Sequence, residues 1–300
     1  MHSINQLMLS AFRRVPKRLV KPIAMRYIAG EGLEDAVRVV RGLNARGMMA
    51  TIDVLGEDVS AREESEQARE ACARVLKTVQ EERLNANLSI KLTQFGLKID
   101  ETLGYENVNK ILQIAQDRRN FVRIDMEDSS ITGSTLDLYE RLRSEGFDNV
   151  GVVIQAYLRR SEEDVRKLIR VRANVRIVKG IYVEPETIAF KDREEIRRNY
   201  LKLLRMLLEA RCFLAIATHD EFLVKGAFQF IREMDLPQSA YEFQMLYGVR
   251  AKLRDQILAK GRRMRIYVPF GTHWYSYSMR RFQENPQMVR YLLQALLVKN

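Results

Sequence analysis

Cysteine is nearly missing from this chain: Cys72 and Cys212 are the only two in 300 residues. Two thiols in helix-like patterns make neither a disulfide framework nor a zinc site, and such usage fits a reducing compartment. Histidine is sparse too, and His2, His219 and His273 show no ligand spacing with carboxylates, which argues against a metal centre. No apolar run approaches the roughly 18 residues that a membrane-spanning helix needs. The apolar stretch 7–12 precedes its basic residues, the reverse of a secretory leader. No G-x-G-x-x-G follows a strand-like run, which weighs against a Rossmann sheet, and no G-x-S-x-G nucleophile elbow is present.

Acidic residues are absent from positions 1–30, where Arg13, Arg14, Lys17, Arg18, Lys21 and Arg26 carry more than half of the net charge of +11. Apolar residues are interleaved with these charges, and Pro16 and Pro22 limit the segment to short helical pieces. Three roles are open to it: packing on the domain with its charges in water, lying on an anionic membrane surface, or holding nucleic acid. No nucleic-acid-binding motif accompanies it, so no nucleic-acid partner is expected. The rest is an ordinary soluble mixture, 46% hydrophobic and 30% charged, with material for a large core.

From residue 49 onward one rhythm repeats, a short β-branched or apolar run followed by a longer charged stretch of helical period. The predicted strands are 49–55, 88–92, 121–126, 150–156, 175–178, 213–217, 241–245 and 264–268. The predicted helices are 61–83, 107–118, 134–144, 161–172, 192–210, 221–233 and 249–258. Ser161 before Asp164, and Asp192 before Glu195, read as helix caps. Eight such βα units predict an α/β fold, a (β/α)8 TIM barrel over residues 46–300, preceded by a basic helical arm over 1–45.

In such barrels the active site lies at the C-terminal strand ends. The polar residues there are Asp53 and Glu57 after the first strand, Lys91 in the second, Asp125 in the third and Gln155 in the fourth. Arg176, Lys179 and Tyr182 mark the fifth, Thr218 and His219 the sixth, Gln244 the seventh and Tyr267 the eighth. Each alone is more easily structural than catalytic, but together they point to a site. After the eighth strand, Tyr277, Arg280, Arg281 and Glu284 stand at i, i+3, i+4 and i+7, one face of a helix. Two adjacent guanidinium forks suit a small planar anion such as a carboxylate. Lys91 and Lys179 on barrel strands also leave open a Schiff-base aldolase or lyase acting on a small carboxylate, and a basic-armed binding module is a third reading.

Several segments resemble the proline dehydrogenase family. Val175-Arg176-Ile177-Val178-Lys179-Gly180-Ile181-Tyr182 is similar to its R-[LI]-V-K-G-A-Y signature. So are Tyr267-Val268-Pro269-Phe270-Gly271 and Trp274-Tyr275-Ser276-Tyr277 with Arg280, Arg281 and Glu284 behind them. Ile52 to Glu57, Ser89 to Leu92, Ile124 to Glu127, Ala217 to His219 and Phe243 to Gly248 complete a likeness over roughly residues 45–295. The resemblance implies a distorted barrel binding FAD, with the last helix covering the site, in a monofunctional bacterial enzyme. It implies oxidation of L-proline to 1-pyrroline-5-carboxylate by hydride transfer to flavin N5, with electrons passed on to a membrane quinone. It also implies a cytoplasmic enzyme, for which the arm could serve as a peripheral contact with the inner face of the membrane. Carried over by motif, Lys91, Arg280 and Arg281 hold the proline carboxylate, and Leu246, Tyr267 and Tyr277 shape the ring pocket. Asp125 pairs with Lys91, Arg176 lies close to N5, and Glu57 reaches Arg280 as a gate. Met126, Gln155, Lys179, Gly180, Ile181, Tyr182, Thr218, His219, Gln244 and Glu284 hold or adjoin FAD. Ile181 and Ser276 replace the alanine and proline usual in the two signatures, and Tyr247 stands where many members have histidine.

Overall fold

Alternate residues along each strand meet opposite surroundings. In the computed structural model, which describes residues 17–284, eight parallel strands close in sequence order, β1 pairing with β8. They are β1 (Met49–Val54), β2 (Ala86–Ile90), β3 (Val122–Ile124), β4 (Val150–Gln155), β5 (Val175–Val178), β6 (Leu214–Ala217), β7 (Tyr241–Leu246) and β8 (Met264–Phe270). Ile52, Leu88, Ile124, Val152, Ile177, Ile216, Phe243 and Ile266 are buried in the main apolar core. The residues between them are Asp53, Ser89, Arg123, Arg176, Glu242 and Arg265, whose polar groups bond to one another, to Lys91 and Asp125 at the strand ends, or to backbone across the barrel. Period-two alternation therefore separates a helix-facing apolar layer from an ionic interior.

The helices are α1 (Lys17–Ala24), α2 (Leu33–Asn44), α3 (Arg62–Glu81), α4 (Glu101–Asp117), α5 (Ser129–Ser144), α6 (Ser161–Arg170), α7 (Arg193–Glu209), α8 (Glu221–Glu233), α9 (Ala251–Ala259) and α10 (Trp274–Glu284). The predicted helices begin too late at α4 and α5. The first turns there are set by the caps Asp100 and Asp128, whose carboxylates accept from Leu103 N and Ser130 N, and no apolar period announces them. Asp192 caps α7 as expected, accepting from Glu194 N and Glu195 N. Ser161 does not cap α6. Its hydroxyl donates to Leu158 O at 2.6 Å, and Asp164 pairs with Arg160.

Helix α2 lies inside the segment read as a helical arm and was not placed as a helix of the barrel. Its Ala36, Val37, Val40 and Leu43 are buried in the main core, against β1 and β8. It occupies the outer position that the helix after β8 holds in a regular barrel. Helix α10 is thereby released to pack on α1 beside the C-terminal mouth: Val20, Ile23, Ala24, Tyr27, Ile28 and Leu55 form a second core with Trp274 and Tyr277. Lys17 and Lys21 lie over the rings of Tyr275 and Trp274, and Glu31 accepts from both Lys21 and the Trp274 indole. The described part of the basic segment thus packs on the domain. Arg13 and Arg14 lie outside the described residues.

Gly248 fixes how closely this N-terminal segment approaches the barrel. Its φ is +72°, and a Cβ there would collide with the Arg26 carbonyl. Gly248→Ala should therefore destabilise the fold by at least about 1–3 kcal/mol through overpacking and a left-handed backbone. A lower denaturant midpoint with an unchanged slope checks it.

Candidate active site

At the C-terminal mouth the interior charges converge. Lys91, one residue past β2, places Nζ 2.6 Å from Asp53 Oδ1, 3.4 Å from Glu57 Oε1 and 4.0 Å from Asp125 Oδ2. The expected Lys91–Asp125 pair is thus the longest of three, and Asp53 is the principal partner. Burial opposes the Lys91 charge, but Asp53, Tyr267, Glu57 and Asp125 together raise its pKa well above the ordinary lysine value. Glu57 was expected to meet Arg280. Glu57 stands at Lys91, and the Arg280 side chain lies outside the described ones.

Asp125, one residue past β3, is bound on both oxygens. Oδ1 accepts from Arg176 Nη1 at 2.5 Å and from Ser89 Oγ at 2.7 Å, while Oδ2 accepts from Tyr267 OH at 2.6 Å. The Arg176 guanidinium lies 5.3 Å from the Tyr267 ring centre. Burial, and then the Asp125 charge, hold the Tyr267 phenol well above its usual pKa, so it remains a donor. Nε and Nη2 of Arg176 are buried and have no hydrogen-bond partner among the described residues. Two orphaned donors on a buried cation are costly unless something fills them.

Helix α10 carries Tyr277 and Arg281 to this mouth. Tyr277 is buried beside Leu55 and Trp274, and the Arg281 guanidinium lies 4.9 Å from its ring centre. Leu246, at the end of β7, is half-buried, and its amide donates to His219 Nε2 at 3.0 Å. The side chain of Glu284 lies outside the described ones.

The expected cofactor residues line the ends of β3 to β7. Met126 is buried after β3, and the Gln155 side chain donates to Glu127 O at 2.8 Å. The Gln244 side chain donates to Glu242 at 2.6 Å, and Thr218 Oγ1 accepts from Asp220 N. After β5, Gly180 has φ +105°, and a Cβ there would collide with the Tyr157 ring. Lys179 lies 3.6 Å from Asp220, which also holds Arg197 at 2.8 Å. Ile181 is 37% exposed and Tyr182 half-buried, so the larger side chain at 181 points partly to solvent. Asp53 was picked out at its strand end but given no role, and Ser89 and Asp220 were missed; the three fix Lys91, Asp125 and Lys179. Asp53 and Ser89 occupy one register pair of β1 and β2, and the alternation Ser89, Lys91 was the signal available. Cys72 and Cys212 are buried with raised thiol pKa values, remote in character from nucleophiles.

A closed (β/α)8 barrel with a buried Lys–Asp–Arg–Tyr cluster beside a C-terminal helix defines a barrel enzyme for a small ligand. The family model for proline dehydrogenase matches residues 36–292. The chain is 40% identical to "Proline dehydrogenase 1" of Bacillus subtilis over 276 residues, 92% of this chain and 91% of that protein. It is 34% identical to "Proline dehydrogenase" of Deinococcus radiodurans, over 92% and 90%. Among solved structures, proline utilization A from Bdellovibrio bacteriovorus inactivated by N-propargylglycine superposes with a TM-score of 0.82 at 26% identity, over 89% of this chain and 33% of that one. The chain belongs to the proline dehydrogenase family and is an oxidoreductase.

His219 yields a pH prediction. Burial, and next the charges of Arg281, Lys179 and Arg250, lower its pKa to about 4. The unfolded state, with an ordinary pKa of about 6.5, binds the proton first as pH falls, so stability drops between those two values and not above them. His219→Gln should remove about 3 kcal/mol of that acid-side loss. Denaturant midpoints of both proteins from neutral pH down to pH 4 check it.

Proposed function

We propose that the chain oxidises L-proline to 1-pyrroline-5-carboxylate with bound FAD and passes the electrons to a membrane quinone. The observation that carries this reading is Arg176. It is anchored by Asp125 yet keeps two buried, unfilled donors at the mouth of the barrel, and a flavin ring with its acceptor nitrogens and carbonyls is the kind of group that fits them. The relatives' names supply the substrate class.

Met126, Gln155, Lys179, Gly180, Ile181, Tyr182, Thr218, His219, Gln244 and Glu284 would hold or adjoin FAD. When bound, FAD supplies a two-electron acceptor at N5 for the hydride leaving proline C5. Arg176 would present its cation near that atom, and Asp125, with Ser89 and Tyr267 on its oxygens, keeps the guanidinium in place. Lys91, Arg280 and Arg281 would bind the proline carboxylate. Lys91 arrives already cationic because Asp53 and Glu57 surround it, which also makes it a poor Schiff-base nucleophile and disfavours the aldolase reading. Tyr267, Tyr277 and Leu246 would enclose the ring, and Glu57 would gate it.

Purified protein should be yellow, and proline should bleach it without oxygen; a colourless protein that takes up no FAD on reconstitution refutes the proposal. Arg281→Ala should raise KM for proline about 30-fold or more while FAD stays bound, because a desolvated charge partner is lost. Pyrrolidine, lacking the carboxylate, should lose far less, and equal losses would mean that Arg281 reads no carboxylate.

Access to quinone would run through a peripheral membrane contact. Because residues from 17 onward pack on α10, deletion of residues 1–16 should weaken binding to anionic vesicles while leaving proline-dependent dye reduction intact. Co-sedimentation with vesicles at low and high salt checks it.

A further inference from the structure

The N-terminal mouth of the barrel, at the opposite end of the strands from Lys91, holds a cavity of about 210 Å³. A single water needs only about 10–15 Å³ of such space. Four of its lining side chains are guanidinium groups, Arg119, Arg123, Arg263 and Arg265, and one is a carboxylate, Glu242. Arg265 takes that carboxylate with two bonds, Nε to Oε1 at 2.6 Å and Nη2 to Oε2 at 3.2 Å. Arg263 is left 3.7 Å from it.

Arg123 has no such partner. It is only 2% exposed, and its hydrogen bonds run to Val152 O at 3.0 Å, Asn174 O at 2.7 Å and the Asn174 side-chain oxygen, all neutral. Its Nε is buried with no partner among the described residues. Gly151 makes the position available, since a Cβ there would run into Arg123 Nη1 and the Phe121 ring. Arg123 and Arg263 lie over the rings of Phe121 and Phe213, 5.0 and 6.0 Å from the centres, so both forks are oriented before any ligand arrives. Burial, and then the charge of Arg176, pull Arg123 down to about 9. The Glu242 charge offsets this only in part and is already held by Arg265, so an anion in the cavity would supply the counter-charge Arg123 lacks at hydrogen-bond range.

We propose that this mouth binds a small polyvalent oxyanion, a phosphate group, between Arg119, Arg123 and Arg263. Guanidinium forks match phosphate oxygens in pairs, and the cavity keeps an excess of positive charge after Glu242 is neutralised. The site lies at the opposite ends of the strands from the catalytic mouth, and its lining is built for binding.

Calorimetric titration of the purified enzyme with inorganic phosphate, in chloride buffer of constant ionic strength, should show one saturable site. Arg119→Gln and Arg263→Gln, at exposed and half-buried positions that leave the core intact, should each weaken it about tenfold, the loss of one partly solvated charge contact. KM for proline should stay unchanged in both. Glycerol phosphate in the same titration separates the sources: tighter binding than inorganic phosphate assigns the site to a phosphorylated small molecule, weaker binding to free phosphate. Absence of saturation at millimolar phosphate, or affinity unmoved by both variants, overturns the proposal and leaves Arg123 as a structural plug.

Discussion

The inward charges around Asp125 hold one another in place, because little water and no pliable apolar filling can screen them. Most (β/α)8 barrels fill the same space with layers of branched apolar side chains. Here Asp125 is the joint on which the solution turns: Ser89, Arg176 and Tyr267, from three other strands, meet on its two oxygens. A carboxylate so occupied cannot move without leaving a buried cation or donor unsatisfied. The cost of the ionic interior is what makes its geometry rigid.

That rigidity has a sign at each end. At the C-terminal mouth three carboxylates surround one lysine and one arginine, so the cations are neutralised in advance while Arg176 keeps donors in hand. At the N-terminal mouth the ratio is reversed, with one carboxylate among four arginines. A single column of side chains two residues apart, Arg123 and Asp125 on β3 and its edge, joins the two environments.

The strands were legible because two signals agreed, alternation within each run and βα spacing between runs. Their ends were not. Lys91 and Asp125 each fall one residue beyond a strand, where the side-chain direction persists and Asp125 N still donates to Ile90 O at 2.8 Å. Helix α2 was hidden because its apolar face, Ala36, Val37, Val40 and Leu43, follows a basic stretch whose charge dominates the reading. The placement of the candidate residues at strand ends was legible, their pairings only in part. Whether Lys91 prefers Asp53 or Asp125 depends on register and tilt between strands, and a linear sequence carries neither. Asp53 was visible as a polar residue at a strand end, but its role required knowing that Ser89 lies opposite it.

The exchange of positions between α2 and α10 separates two duties that one helix performs in a regular barrel. The seam between β8 and β1, the pairing most distant in sequence, is sheltered by a helix synthesised before either strand, so the last strand to emerge meets a surface already waiting for it. The seam is thus covered chiefly by α2, while α10 meets the end of β1 at Leu55. Changes in α10, including Ser276 near its start, can retune how the mouth is covered while the α2 contacts on β1 and β8 stay in place.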